Sequence, residues 1–168
     1  MRKFLFVPLL AAFLVAGCED DNPNQPTEIV PTFQMALLSS NEVPPITDVE
    51  ATCTGNVTIR LNLTRDAAQT ITAATADFTA NVSGCPSTTN ITIAHIHEQV
   101  AGQNGIIVVN TGLNGGVGSN GSFTRNGINI TDLSIVQRIL DNPSGFYFNI
   151  HSTLHGPGVI RAQLVRTQ

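Results

Sequence analysis

All four histidines of this chain lie in two places, His95 and His97 in Ala94-His95-Ile96-His97, and His151 and His155 within residues 145–164. A strand sends alternate side chains to opposite faces, so His95 and His97, two apart, share one face if their segment is extended. In Phe146-Tyr147-Phe148-Asn149-Ile150-His151 the same rule turns Phe146, Phe148 and Ile150 toward a core. Tyr147, Asn149 and His151 then face away from it. If the two strands are neighbours, three imidazoles, an amide and a phenol meet on one polar surface, with Arg161 the nearest cation in the second stretch. Neutral imidazoles are the commonest protein ligands for Zn²⁺ and suit Cu²⁺ as well, so His95, His97 and His151 are candidate metal ligands. Two other readings fit the same residues. One is a structural network of satisfied polar side chains, with Asn149 tying down a loop and Arg161 pairing with Glu98 or another carboxylate. The other is a site for a non-metal ligand or partner. His155 falls in a turn and is the least secure member of the set.

Other chemistries are poorly served. A His-x-His strand with a distant histidine is similar to part of the copper site of copper–zinc superoxide dismutase, and Arg161 invites comparison with that enzyme's anion-guiding arginine. The dismutase, however, needs six histidines and an aspartate for two metals, and four histidines leave room only for a single-metal site. Ser152 beside His151 resembles a nucleophile–base pair on paper, but neighbours on a strand point to opposite faces. Glu98 and Asp132 have no evident reason to converge as an acid–base pair. Lys3 is the only lysine and lies in the amino-terminal leader, which removes lysine catalysis from the mature chain. The glycine-rich residues 112–127 lack the lysine of a phosphate-binding loop.

The elements that must position the histidines are strands. Apolar residues make up 42% of the 168 and charged residues 12%, which suits one globular domain with a real core. Residues 32–38 are a short apolar segment, and Pro44-Pro45 marks a strand end or edge. Val57, Ile59, Leu61 and Leu63 alternate with polar residues across 56–64, a half-buried strand. Residues 70–82 place Ala74, Ala76, Phe78, Ala80 and Val82 on one side of another. Strands over 90–97 and 105–110 follow, then a turn-rich stretch, 112–127, with three Asn-Gly pairs. The spacing of Leu133, Val136 and Leu140 predicts a helix over 131–142, capped by Thr131 or Asp132 and stopped by Pro143. Strands over 145–152 and 158–166 close the chain. Seven or more short strands argue for an all-β antiparallel sandwich or barrel, immunoglobulin-like or superoxide-dismutase-like, with one short helix.

The amino terminus reads as an address. Arg2 and Lys3 precede an apolar run from Phe4 to Ala16, too short to span a bilayer as a helix. It ends in Leu14-Val15-Ala16-Gly17-Cys18, which resembles a bacterial lipobox; an ordinary signal peptide that happens to hold a cysteine is the alternative. The expected organisation is a lipoprotein signal peptide over 1–17, a disordered acidic tether over 18–30 and a β-domain over 31–168. Cys18 is the expected lipidation site. Glu19 rather than Asp after it resembles lipoproteins sent on to the outer membrane, facing the periplasm or the cell surface. Removing residues 1–17 takes Arg2 and Lys3 from a net charge of −4, leaving six arginines against 12 acids, a net of −6. Such a chain lacks the basic patch that nucleic acid requires. In an exported protein Cys53 and Cys85 are expected to form a disulfide, the alternative being two buried thiols.

Several stretches together resemble the CHRD domain, first recognised in chordin and also found in bacterial secreted proteins. They are Asn41-Glu42-Val43-Pro44-Pro45, Ala94-His95-Ile96-His97 with Gly102 and Gly105, Tyr147-Phe148-Asn149-Ile150-His151, and the closing Gly158-Val159-Ile160-Arg161-Ala162-Gln163-Leu164. The resemblance runs from about Phe33 to Leu164. Val159 stands where the family usually has Glu, and Ala162 where it has Gly. The resemblance implies an extracytoplasmic β-domain and little chemistry. The sequence thus favours a non-enzymatic, membrane-anchored envelope lipoprotein whose CHRD-like domain binds or scaffolds an envelope partner. Its alternative is a mononuclear Cu- or Zn-binding or redox protein centred on His95, His97 and His151.

Overall fold

Alternation of apolar and polar residues, clearest in residues 56–64 and 70–82, organises the domain, because a strand can then bury one face against the others. The computed structural model describes residues 29–168. Cys18, the signal segment and most of the tether lie outside the described residues. Eight strands follow in chain order: β1 (Thr32–Leu38), β2 (Thr54–Arg65), β3 (Ile71–Ser83), β4 (Ile91–Glu98), β5 (Ile106–Asn110), β6 (Gly121–Asn129), β7 (Phe146–Ser152) and β8 (Ile160–Gln163). One helix, α1 (Leu133–Asp141), joins β6 to β7. No helix among the described residues is long and apolar enough to cross a membrane.

The strands make one sheet in the order β5-β4-β7-β8-β1-β2-β3-β6, every pair antiparallel. The sheet curls over on itself into a nearly closed barrel. Phe78 of β3 stacks on Phe148 of β7 with ring centroids 5.9 Å apart, so opposite stretches of the sheet meet through the core. The inward set expected from the alternation is buried: Val57, Ile59 and Leu61 on β2, and Ala74, Ala76, Phe78, Ala80 and Val82 on β3. Cys53 and Cys85 are joined by a disulfide, which excludes the alternative of two free thiols.

Two expectations are corrected. Residues 121–129 are not turn but strand: β6 pairs with β3 from Val82↔Gly121 to Thr75↔Asn129. Its sequence, GSFTRNGIN, hides this because only Phe123 is fully buried and Asn126-Gly127 sits at a register shift. Glycine and asparagine look like turn residues, yet a bulged edge strand tolerates them. Helix α1 is where the spacing placed it and is capped by Asp132, whose side chain accepts from the Ser134 amide. Its buried stripe, however, is Ile135, Val136 and Ile139, with Leu133 and Leu140 only half-buried. That stripe is turned from the expected one because α1 lies against β3, and the packing partner chooses which side of an amphipathic helix is covered.

Candidate functional site

β4 and β7 are hydrogen-bonded neighbours, in a register that sets His95 opposite Asn149 and His97 opposite Tyr147. β8 flanks β7 on its other side and puts Arg161 opposite Asn149. His95, His97, Tyr147, Asn149, His151 and Arg161 therefore share one face of three adjacent strands. Alternation gathers these residues on one polar face but leaves open whether that face is exposed or covered by the 112–127 loops. It is a closed layer, with His95, His97 and His151 only 3%, 6% and 4% exposed and Arg161 1% exposed. All seven residues of β7 are buried, on both faces.

Three loop segments supply the cover, and each is held by hydrogen bonds into the layer. His97 Nδ1 donates to the Gly105 carbonyl at 3.1 Å, and the Gly105 amide donates to Tyr147 Oη at 3.1 Å. A side chain at position 105 would collide with the carbonyl oxygen of Glu98, so only glycine brings its backbone this close. His151 Nδ1 donates to the Gly156 carbonyl at 2.8 Å, and Asn149 Nδ2 to the Pro157 carbonyl at 3.1 Å. Gly158, at φ +142°, presses its α-carbon against the Asn149 amide, where a β-carbon would have no room. Arg161 Nε donates to the Asn41 carbonyl at 2.7 Å and its Nη1 to Asn104 Oδ1 at 2.9 Å.

These bonds assign the imidazole tautomers. A carbonyl can only accept, so His97 and His151 carry hydrogen on Nδ1 and present Nε2 lone pairs inward. His95 Nδ1 lies 3.2 Å from His151 Nε2 and must be the donor of that pair. His97 Nε2 has no hydrogen-bond partner among the described residues. Tyr147 is flanked by His97 on the β4 side, stacked at 4.8 Å and 8° between planes, and by Arg161 on the β8 side, 4.4 Å from the ring centroid. One nitrogen from each of His95, His97 and His151 lies within 4.8 Å of the others.

The layer favours neutral imidazole. Burial pushes His95 down to about 4, helped by the neighbouring His151 and His97. Burial also lowers His97 and His151, against the carbonyls of Gly105 and Gly156, which favour their protonated forms. Four buried side-chain polar atoms lack partners among the described residues: His97 Nε2, Asn149 Oδ1, Glu42 Oε1 and, elsewhere, Thr89 Oγ1. The first two sit in this layer and the third at its edge. His97 Nε2 and Asn149 Oδ1 offer lone pairs that no donor among the described residues meets.

The remaining candidates are placed plainly. Glu98 does not pair with Arg161; it makes a bidentate pair with Arg138 of α1, both distances 2.9 Å. His155 stays outside the cluster, its Nε2 at 3.0 Å from Asp48. Ser152 donates to Glu50 Oε2 at 2.6 Å, a buried structural bond. Glu42 is the residue that sequence reasoning passed over. It is 5% exposed beside Asn149, and burial pushes its carboxyl up to about 7 against the opposing pulls of Arg161 and the Asn149 amide. Its signal was present in Asn41-Glu42-Val43-Pro44-Pro45, where the two prolines made a loop visible but not the fact that the loop folds inward.

A nearly closed antiparallel barrel with a second, polar interior layer under three loops, two of them bearing glycine, defines the class of domain. Within that class, the chain belongs to the CHRD domain family, whose model matches residues 33–164. No curated protein and no solved structure matches the chain.

Proposed function

We propose that this protein is an exported, lipid-anchored envelope protein whose CHRD domain binds one Zn²⁺ or Cu²⁺ ion through His95, His97 and His151. The observation that carries this is the convergence of three buried imidazoles, one of them with an unpartnered Nε2 lone pair. His95 Nδ1 and His151 Nε2, 3.2 Å apart, would hold the ion together with a nitrogen of His97. The Nδ1–H bonds of His97 and His151 to backbone carbonyls are the outer-shell contacts that orient ligating histidines. Binding needs transfer of the His95 proton from Nδ1 to Nε2 and a small inward turn of the rings, since nitrogens up to 4.8 Å apart lie beyond the roughly 4.2 Å that two metal–nitrogen bonds span. A bound ion would supply a Lewis-acid or redox centre; the protein supplies the paired strands, the tautomers of His97 and His151 fixed by backbone carbonyls, and the exclusion of water.

The export half of the proposal is supported by the basic start, the apolar run and the lipobox-like Leu14–Cys18 sequence. Fatty-acid labelling of cells is expected to mark the protein and to fail in Cys18→Ser; label retained in that variant removes the anchor. For the metal half, protein purified without a histidine tag is expected to carry or take up one equivalent of Zn or Cu. That uptake is lost in His97→Ala and in His151→Gln with the circular dichroism unchanged. A metal-free protein whose melting temperature is indifferent to both ions overturns it. What then stands is the second reading, a scaffold module with a purely structural polar layer, favoured by the loop carbonyls that already satisfy two of the histidines.

A further inference from the structure

Beside the histidines, and independent of any ion there, β8 and the loop after β1 enclose an open groove of about 610 Å³. Arg161 lies at its floor, and Ser40, Asn41, Glu42 and Gln163 give it polar positions. Val43, Pro45, Ala101, Ala162 and Val165 give it apolar ones.

Arg161 is unusual. A cation this deeply buried is ordinarily met by a carboxylate, because the loss of hydration is otherwise uncompensated. No carboxylate oxygen lies within 4.0 Å of Arg161 among the described residues. Its neutral partners, the Asn41 carbonyl, Asn104 Oδ1 and the Tyr147 ring, hold the guanidinium in place without cancelling its charge. Its Nη2 amino group makes no hydrogen bond to the described protein, while Nε and Nη1 are fixed. Glu42, the nearest acid, is held up toward neutrality by burial and is not a permanent counter-ion.

We propose that this groove is a binding site for a small organic carboxylate, with its carboxylate on Arg161 Nη2 and its hydrocarbon body against Val43, Pro45 and Ala101. The positive floor and apolar walls select the class. An inorganic anion would gain nothing from the walls, and a neutral amide nothing from the guanidinium. Nothing in the site needs a metal, so removing the histidine ligands leaves this prediction standing.

The test is a titration of the isotopically labelled full chain, stripped of metal on chelating resin, with butyrate, butyramide and inorganic phosphate, followed by amide chemical shifts. Butyrate is expected to give saturable shifts confined to residues 40–45, 101–105 and 161–165, with a dissociation constant on the order of 1 mM. Butyramide and phosphate are each expected to bind about tenfold or more weakly. Arg161→Met removes the charge, and Ala101→Trp fills the mouth of the groove from an exposed turn position, leaving the fold untouched. Both are expected to abolish the butyrate shifts. The proposal is overturned if butyrate gives no saturable shifts, if butyramide or phosphate binds as well, or if Ala101→Trp binds butyrate like the wild type.

Discussion

Phe146, Phe148 and Ile150 leave β7 on one side; Tyr147, Asn149 and His151 leave it on the other, and none of the six is more than 4% exposed. The first set meets other apolar side chains, and shape alone satisfies it. The second set meets loop backbone, and each polar atom needs its own partner. Equal burial therefore carries different obligations on the two faces. On the core face nothing is left over. On the polar face His97 Nε2 and Asn149 Oδ1 are left over among the described residues.

The two faces can be pulled apart by substitution. Phe148→Ala, which removes a fully buried ring stacked on Phe78, is expected to cost about 3–5 kcal/mol in denaturant unfolding. That cost should be the same with and without added Zn²⁺. His97→Ala should instead erase whatever stabilisation the metal gives. A Zn²⁺-dependent cost at Phe148 would blur the distinction between the faces.

Reduction bears on the rigidity both faces share. The Cys53–Cys85 bridge spans 32 residues, so its loss in Cys53→Ser with Cys85→Ser is expected to cost about 3–4 kcal/mol in the loop-entropy model, read as a fall in melting temperature.

Between pH 6.5 and about 4, acid acts chiefly on the polar face. His95, His97 and His151 have folded pKa values below their unfolded ones, so between pH 6.5 and about 4 the unfolded chain binds more protons. Stability is fully present above 6.5 and is lost as pH falls through the lowered values of the three rings, about 4 for His95. Glu42 runs the other way, its raised carboxyl losing stability as pH rises from 4.5 toward about 7, so it partly offsets the histidines in that window. Urea unfolding across this range is expected to weaken toward acid, and the slope should flatten in His95→Phe. An unchanged slope would mean the histidines are not buried neutral.

The smallest effect belongs to neither face. Arg138→Ala breaks the partly exposed pair with Glu98 and is expected to cost about 0.2–1 kcal/mol, less in high salt.

Much of this fold is legible in the sequence because alternation is a local signal. The strands around Val57–Leu63, Ala74–Val82 and Phe146–His151 follow from it, and so does the shared face of His95, His97 and His151. β6 is not legible, since its burial rests on Phe123 alone and its glycines imitate a turn. The burial of the polar face is not legible either. It depends on turns far along the chain folding over the strands, and on Gly105 and Gly158 lying where a side chain would collide. Glu42 illustrates the same limit. Its neighbours Asn149 and Arg161 lie more than a hundred positions away, and no local pattern records them.

The most direct measurement is anomalous diffraction from crystals of the tag-free protein grown with Zn²⁺. One peak is predicted at about 2.0–2.1 Å from a nitrogen of each of His95, His97 and His151, with Gly105 and Gly156 still accepting from His97 and His151. A map without a peak among these three rings, and with His95 still donating to His151, would contradict the account.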